Sequence, residues 1–115
     1  MTDTYHRLIE SGVLAEGQSR GFVIEGWPIL LCLHQGTYTA ILNRCSHADA
    51  KLEGGRLRRG GISCPLHGTP FNLATGVCMA PVRYRTIRVF PVRLDGGWIE
   101  VAVPGEAPGA LETAL

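Results

Sequence analysis

The sequence predicts an all-β fold, and three observations carry that prediction. Two pairs of apolar, β-branched and aromatic segments each flank a glycine-bearing turn. Glycine and proline are frequent, fifteen and seven of 115 residues, which favours turns and short strands over long helices. No window of helical period carries both caps, so helix is expected to be minor. A chain of this length makes one domain with a single core.

Taken in order, Tyr5 to Glu10 and Gly21 to Glu25 are the weaker strand candidates. Ile29 to His34 and Thr37 to Leu42 flank Gln35-Gly36 and form the first hairpin. Residues 43–82 differ in character. Gly54-Gly55, Gly60-Gly61, Gly68 and Gly76 alternate there with Pro65, Pro70 and Pro81, so loops and very short strands are expected. Thr86 to Leu94 reads as one strand that meets Asp95-Gly96-Gly97, and Trp98 to Val103 completes a second hairpin. From Pro104 the chain reads as poorly ordered at least to Ala110, with Leu111 to Leu115 docking or fraying. The expected architecture is a small antiparallel β-sandwich or barrel-like base with an inserted two-loop subdomain. The domain spans 1–103, the subdomain about 43–82 and the tail 104–115.

A net charge of +1 gives no case for nucleic acid or an anionic membrane. The N-terminus lacks a basic region followed by an apolar run, and the longest apolar stretch, Trp27 to Leu33, is too short to span a bilayer. A cytoplasmic protein is expected. In that reducing compartment four cysteines are metal ligands or buried thiols rather than two disulfides.

Two half-sites stand out, Cys45-x-His47 and Cys64-x-x-His67, separated by sixteen intervening residues. Each offers one thiolate and one imidazole from a glycine- and proline-rich loop that can bend around a metal centre. The spacing resembles the C-x-H…C-x-x-H signature of Rieske proteins. The resemblance continues through Gly68, Phe71, Thr75-Gly76, Pro81, Ile87 to Val92 and Gly97 to Val101, and covers roughly Ile29 to Val103. The sequence looks most like the Rieske ferredoxins of bacterial aromatic-ring-hydroxylating dioxygenase systems. That resemblance implies a Rieske fold and one [2Fe–2S] cluster, with Cys45 and Cys64 on the inner iron and His47 and His67 on the outer. Neutral imidazoles in place of two thiolates remove negative charge, so such clusters reduce at about −150 to +300 mV rather than about −400 mV.

Three other readings of these residues compete. Two cysteines and two histidines can bind zinc in an interaction module, although zinc fingers space their ligands differently. Cys32-x-His34 is itself a C-x-H, but it lies in an apolar strand beside a tight turn and reads better as core. Cys78 reads as a buried or semi-exposed thiol rather than a ligand or a disulfide partner of Cys32.

Relative to Rieske proteins of membrane complexes, Ala50 and Leu66 stand where those have two disulfide-forming cysteines. Thr69 and Phe71 stand where those have a Ser and a Tyr that donate to sulfur. The resemblance therefore implies a low-potential carrier that takes electrons from a flavin-dependent ferredoxin reductase and gives them to a terminal oxygenase. It implies no substrate chemistry on this chain. The small subunit of an assimilatory nitrite reductase is the alternative. Pro65, Leu66, Ala48 and Pro81 are expected to cap the cluster as an apolar docking tip. Arg56, Arg58, Arg59, Arg83 and Arg85 either steer acidic partners or form a solvated face, with Arg85 and Arg93 at strand edges.

Overall fold

The computed structural model describes residues 3–46, 50–81, 84–106 and 108. Among these residues there is no helix, and ten strands, numbered in chain order, form three antiparallel sheets. The central sheet has the order β2 (Ser19–Ile24), β3 (Trp27–His34), β4 (Thr37–Leu42) and β8 (Val89–Phe90). The terminal sheet places β10 (Trp98–Val103) between β1 (Thr4–Glu10) and β9 (Val92–Asp95). A small third sheet, β5 (Leu57–Arg58), β6 (Gly61–Ser63) and β7 (Pro70–Asn72), lies within the inserted segment.

Both predicted hairpins form at the predicted turns. Gln35-Gly36 joins β3 to β4 and Gly96-Gly97 joins β9 to β10, all four residues at positive φ, as hairpin turns that match strand twist require. Two further hairpins of this kind were not expected. Glu25-Gly26 links β2 to β3, so Glu25 belongs to a turn and not to the strand, and Arg59-Gly60 links β5 to β6.

The expected single strand from Thr86 to Leu94 is two strands. Pro91 has no N–H to place in a ladder. The chain breaks there: β8 pairs with β4, while β9 leaves for the other sheet and pairs with β10. Residues 85–88 lie outside any strand, so Arg85, expected at a strand edge, is not at one.

Strand alternation assigns the two faces of the central sheet. Leu30, Cys32 and His34 share a face with Ile41 and Val89, by the pairs Leu30↔Ile41 and Ile41↔Val89. The inserted segment covers this face. His34 Nε2 accepts the Gly60 N–H at 3.0 Å, and a side chain at Gly76 would meet Val89 Cγ2 at 3.2 Å. Ile29 and Leu31 point the other way, and with Ala40, Phe90 and the terminal sheet's Ile99, Val101 and Val103 they are buried in one core. Covered on both faces, β3 is apolar without alternation from Ile29 to Cys32.

On the solvent face of the terminal sheet, Glu100 is buried beneath its partners. It accepts from Arg93 Nε at 2.7 Å and pairs with Arg7 at 3.5 Å, while those arginines lie over Tyr5 and Trp98 respectively. The guanidinium of Arg93 is held above its ordinary pKa chiefly by that hydrogen bond. Arg93, expected at a strand edge, is in the edge strand β9.

Glu16 clamps the first hairpin turn, its carboxylate accepting the N–H of Gln35 at 2.7 Å and of Gly36 at 2.9 Å. The Gly36 and then the Gln35 bond hold its pKa below the ordinary carboxylate value. A lowered folded-state pKa contributes stability above the ordinary value, which is lost as pH falls through the folded one. Glu16→Ala should therefore be less stable than the parent at neutral pH. The gap should close in acid, as urea denaturation at a series of pH values would show.

The tail is better placed than expected over its described part. Trp27, 1% exposed, donates its indole N–H to the Glu106 carbonyl at 3.0 Å, and Pro108 lies against Gly26. Trp27 also meets Phe90 edge-on at 5.6 Å and lies under Arg88. Residues 107 and 109–115 lie outside the described residues, so the expectation for Leu111 to Leu115 has no counterpart here.

Candidate metal centre

Each candidate half-site begins where a strand has just ended. Cys45 follows β4, and Cys64 immediately follows β6. Both loops close in the same way: the cysteine N–H donates to the carbonyl five residues on, Cys45 to Ala50 and Cys64 to Thr69, each at 2.8 Å. The second loop is tightened further by the Gly68 N–H donating to the Cys64 carbonyl at 2.8 Å, with Gly68 at φ +74. Two loops of one construction thus present two cysteines at matching places.

Cys45 and Cys64 are buried, while Pro65, Leu66 and His67 are exposed, Leu66 by 61%. Two cysteine sulfurs inside and an imidazole at the surface are the placement expected from the sequence for an inner and an outer iron. His47, Ala48 and Asp49 lie outside the described residues. Among the described residues no group of three or more His, Cys, Asp and Glu side chains stands ready for a single ion.

Further details bear on whether such a centre fits. The hydroxyl of Ser46, beside Cys45, is buried without a hydrogen-bond partner among the described residues, an orphan that a bound acceptor would account for. Behind the second loop, Phe71 is fully buried, pairs with Ile62 across the small sheet and bridges to Cys78. Gly76, at φ +76, packs so closely on the Ile87 carbonyl that any side chain would collide with it, and the Ile87 N–H donates to the Gly76 carbonyl at 2.9 Å. This contact ties the inserted segment to the chain leading into β8.

The other sulfur and imidazole groups have different surroundings. Cys32 is buried in β3, where desolvation pushes its thiol up to about 12, so it stays protonated rather than offering a thiolate. His34 is half-buried rather than core, and its Nε2 is taken by Gly60. Cys78 is buried at 1% exposure. Pro81, expected at the apolar tip, is exposed, as are Val77, Met79 and Tyr84 nearby in the chain. Arg56, Arg58 and Arg59 are exposed, and Arg83 lies outside the described residues. No helix among the described residues is long and apolar enough to cross a membrane.

Sequence and structural comparisons agree with this geometry. Residues 4–91 match the family model of the Rieske [2Fe–2S] domain, and the chain belongs to that family. Its cofactor is therefore one [2Fe–2S] cluster rather than zinc. The chain is 34% identical over 99 residues to the ferredoxin component of biphenyl 2,3-dioxygenase from Rhodococcus jostii (strain RHA1), covering 86% of this chain and 92% of that one. The ferredoxin of carbazole 1,9a-dioxygenase from Nocardioides aromaticivorans IC177 superposes with a TM-score of 0.80 at 30% identity, over 92% of this chain and 99% of the other. A chain in the complex of reduced oxygenase and oxidized ferredoxin in carbazole 1,9a-dioxygenase gives a TM-score of 0.80 at 27% identity, over 90% and 95% of the two chains.

Proposed function

We propose that this chain is the ferredoxin component of a multicomponent aromatic-ring dioxygenase system. It takes single electrons from a flavin-dependent ferredoxin reductase and delivers them to a terminal oxygenase. The observation that carries this reading is end-to-end likeness. The chain spans nearly the whole of the ferredoxin component of biphenyl 2,3-dioxygenase at 34% identity, the likeness expected of an electron carrier. The nitrite-reductase reading has less support, since the relatives named above are dioxygenase ferredoxins.

In this reading Cys45 and Cys64 hold the inner iron, and His47 and His67 hold the outer one. Residues 1–103 form the domain, and about 43–82 form the cluster-binding subdomain. When bound, the cluster supplies a one-electron couple. The protein's own part is to bury the two thiolates, hold both loops closed through the Cys45 and Cys64 N–H groups, and keep His67 at the surface. Electron carriers need only a small, transient contact, and exposed Pro65 and Leu66 beside His67 supply apolar surface for one. The cytoplasm, where the reductase's reduced nicotinamide is available, is the compartment in which this work is done.

The purified protein should contain two irons and two acid-labile sulfides per chain. Its reduced form should give a rhombic electron paramagnetic resonance signal with a lower average g than all-cysteine clusters. Phe71 carries no hydroxyl, and Ala50 and Leu66 cannot form a brace, so the potential should lie near the bottom of the family range, about −150 mV by film voltammetry. Mixed with a dioxygenase-type reductase and its terminal oxygenase, the protein should restore NADH-dependent ring hydroxylation. Failure with several such pairs, or a potential near the top of the range at about +300 mV, would overturn the assignment.

A further inference from the structure

The two ligand loops close alike but are anchored differently. The second runs from β6 straight into β7, and the pairs Ser63↔Pro70, Ile62↔Phe71 and Gly61↔Asn72 hold its two ends together. Among the described residues the first loop has no such ladder: it leaves β4 at Leu42 and returns through residues 50–53, which belong to no strand. Asn43 stands at that gap. It is 3% exposed, and its own N–H donates to the Pro28 carbonyl of β3 at 2.9 Å.

The Asn43 side chain reaches across to the returning arm. Its Oδ1 accepts the N–H of Leu52 and the N–H of Glu53, both at 3.0 Å. Two backbone donors can converge only on an oxygen, which fixes the orientation of the amide. Nδ2 faces Gly21 of β2, which has no side chain to displace it. Leu52 is fully buried, and its carbonyl accepts from Gly55 at 2.9 Å, so the arm held by the fork is itself rigid. The Cys45 N–H to Ala50 bond lies inside the span that the fork closes.

We infer that Asn43 is the positioning residue of the first half-site, its side chain supplying the closure that the β6–β7 ladder supplies for the second. It touches no ligand in this role. It fixes the span from which Cys45 must reach the cluster. The inference rests on the cluster reading given above. Removing the fork leaves the buried Leu52 N–H and the part-buried Glu53 N–H without their shared acceptor at the root of the loop, a cost the loop relieves by opening.

The test uses purified holoprotein. It reads the rate of iron release to a chelator, well below the melting temperature, and the g values of the reduced protein. Asn43→Leu should release iron about tenfold faster or more, with altered g values. Asn43→Asp keeps the acceptor and should keep parent-like g values, while its buried carboxyl near that of Glu53 lowers the melting temperature. Ile99→Ala, a core loss in the terminal sheet, should lower the melting temperature while leaving release rate and g values unchanged. Should Asn43→Leu fail to fold, Asn43→Gln, which shifts the amide by one methylene, should still bind the cluster but release it faster. Parent-like release and g values in Asn43→Leu or Asn43→Gln would overturn the inference, as would equal acceleration by Ile99→Ala. An iron-free parent would instead overturn the cluster reading itself.

Discussion

Cys64→Ser should be colourless, with iron and acid-labile sulfide at background, and it should lose ordered structure in the inserted segment. Serine is nearly isosteric but offers no thiolate, the form in which sulfur binds iron. Cys64 is 2% exposed at the mouth of the second loop, so an unused hydroxyl there would also be buried. The subdomain has little else to hold it. Its three strands comprise two, three and three residues, and its buried side chains are few, Leu52, Ile62, Phe71 and Leu73 chief among them. Binding energy at such a centre is largely folding energy. Hydrogen exchange should therefore show the amides of Cys45 and Cys64 deprotected, while β3 and β4 keep their protection. Cys45→Ser should behave in the same way. Cys32→Ser and Cys78→Ser should keep their iron. Full iron content in Cys64→Ser, or a bleached Cys78→Ser, would mean that the ligand set is wrong.

Trp27→Ala should cost about 3–5 kcal/mol, the usual range for removing a large aromatic from a core. That is a large part of the roughly 5–15 kcal/mol by which domains are stable. Several contacts meet at this one ring: the edge-on Phe90 at 5.6 Å, Arg88 above it at 4.9 Å, and the Glu106 carbonyl on the indole N–H at 3.0 Å. Trp27→Phe keeps most of the apolar area but has no N–H donor. It should recover most of the stability while freeing residues near Glu106, which limited proteolysis of the tail would reveal. Equal loss in both variants would mean that the hydrogen bond, not the packing, dominates.

Much of this architecture was legible from local signals. Gln35-Gly36 and Gly96-Gly97 sit between alternating or apolar runs, and the hairpins followed at those turns. The break at Pro91 was written in the sequence too. Its meaning depends on tertiary structure, because a proline can end a strand, sit on an edge or mark a change of sheet. Glu25-Gly26 was less legible, since glutamate has no local preference for the left-handed backbone it adopts there. The half-sites could be singled out as candidates because ligand spacing is a chemical constraint independent of fold. Asn43 was not, because its two partners, Leu52 and Glu53, come close only after the loop has closed. His34 shows the same limit: an imidazole in an apolar strand gave no hint that Gly60 would claim it.

The order in which the sheets can assemble follows from the pairing of β1 with β10. Thr4 bonds opposite Val103, so the first strand waits for its partner until the ribosome has added nearly everything between them. Residues up to 91 precede both β9 and β10. A nascent chain released only that far would hold the hairpins of the central sheet and both ligand loops, all built from near neighbours in sequence. Its β1 would be an unpaired edge. Sheets closed by such distant partners form late and slowly, because the chain entropy of the long loop must be overcome first. The terminal sheet is therefore the part of the fold that closes only after the chain has been made through β10.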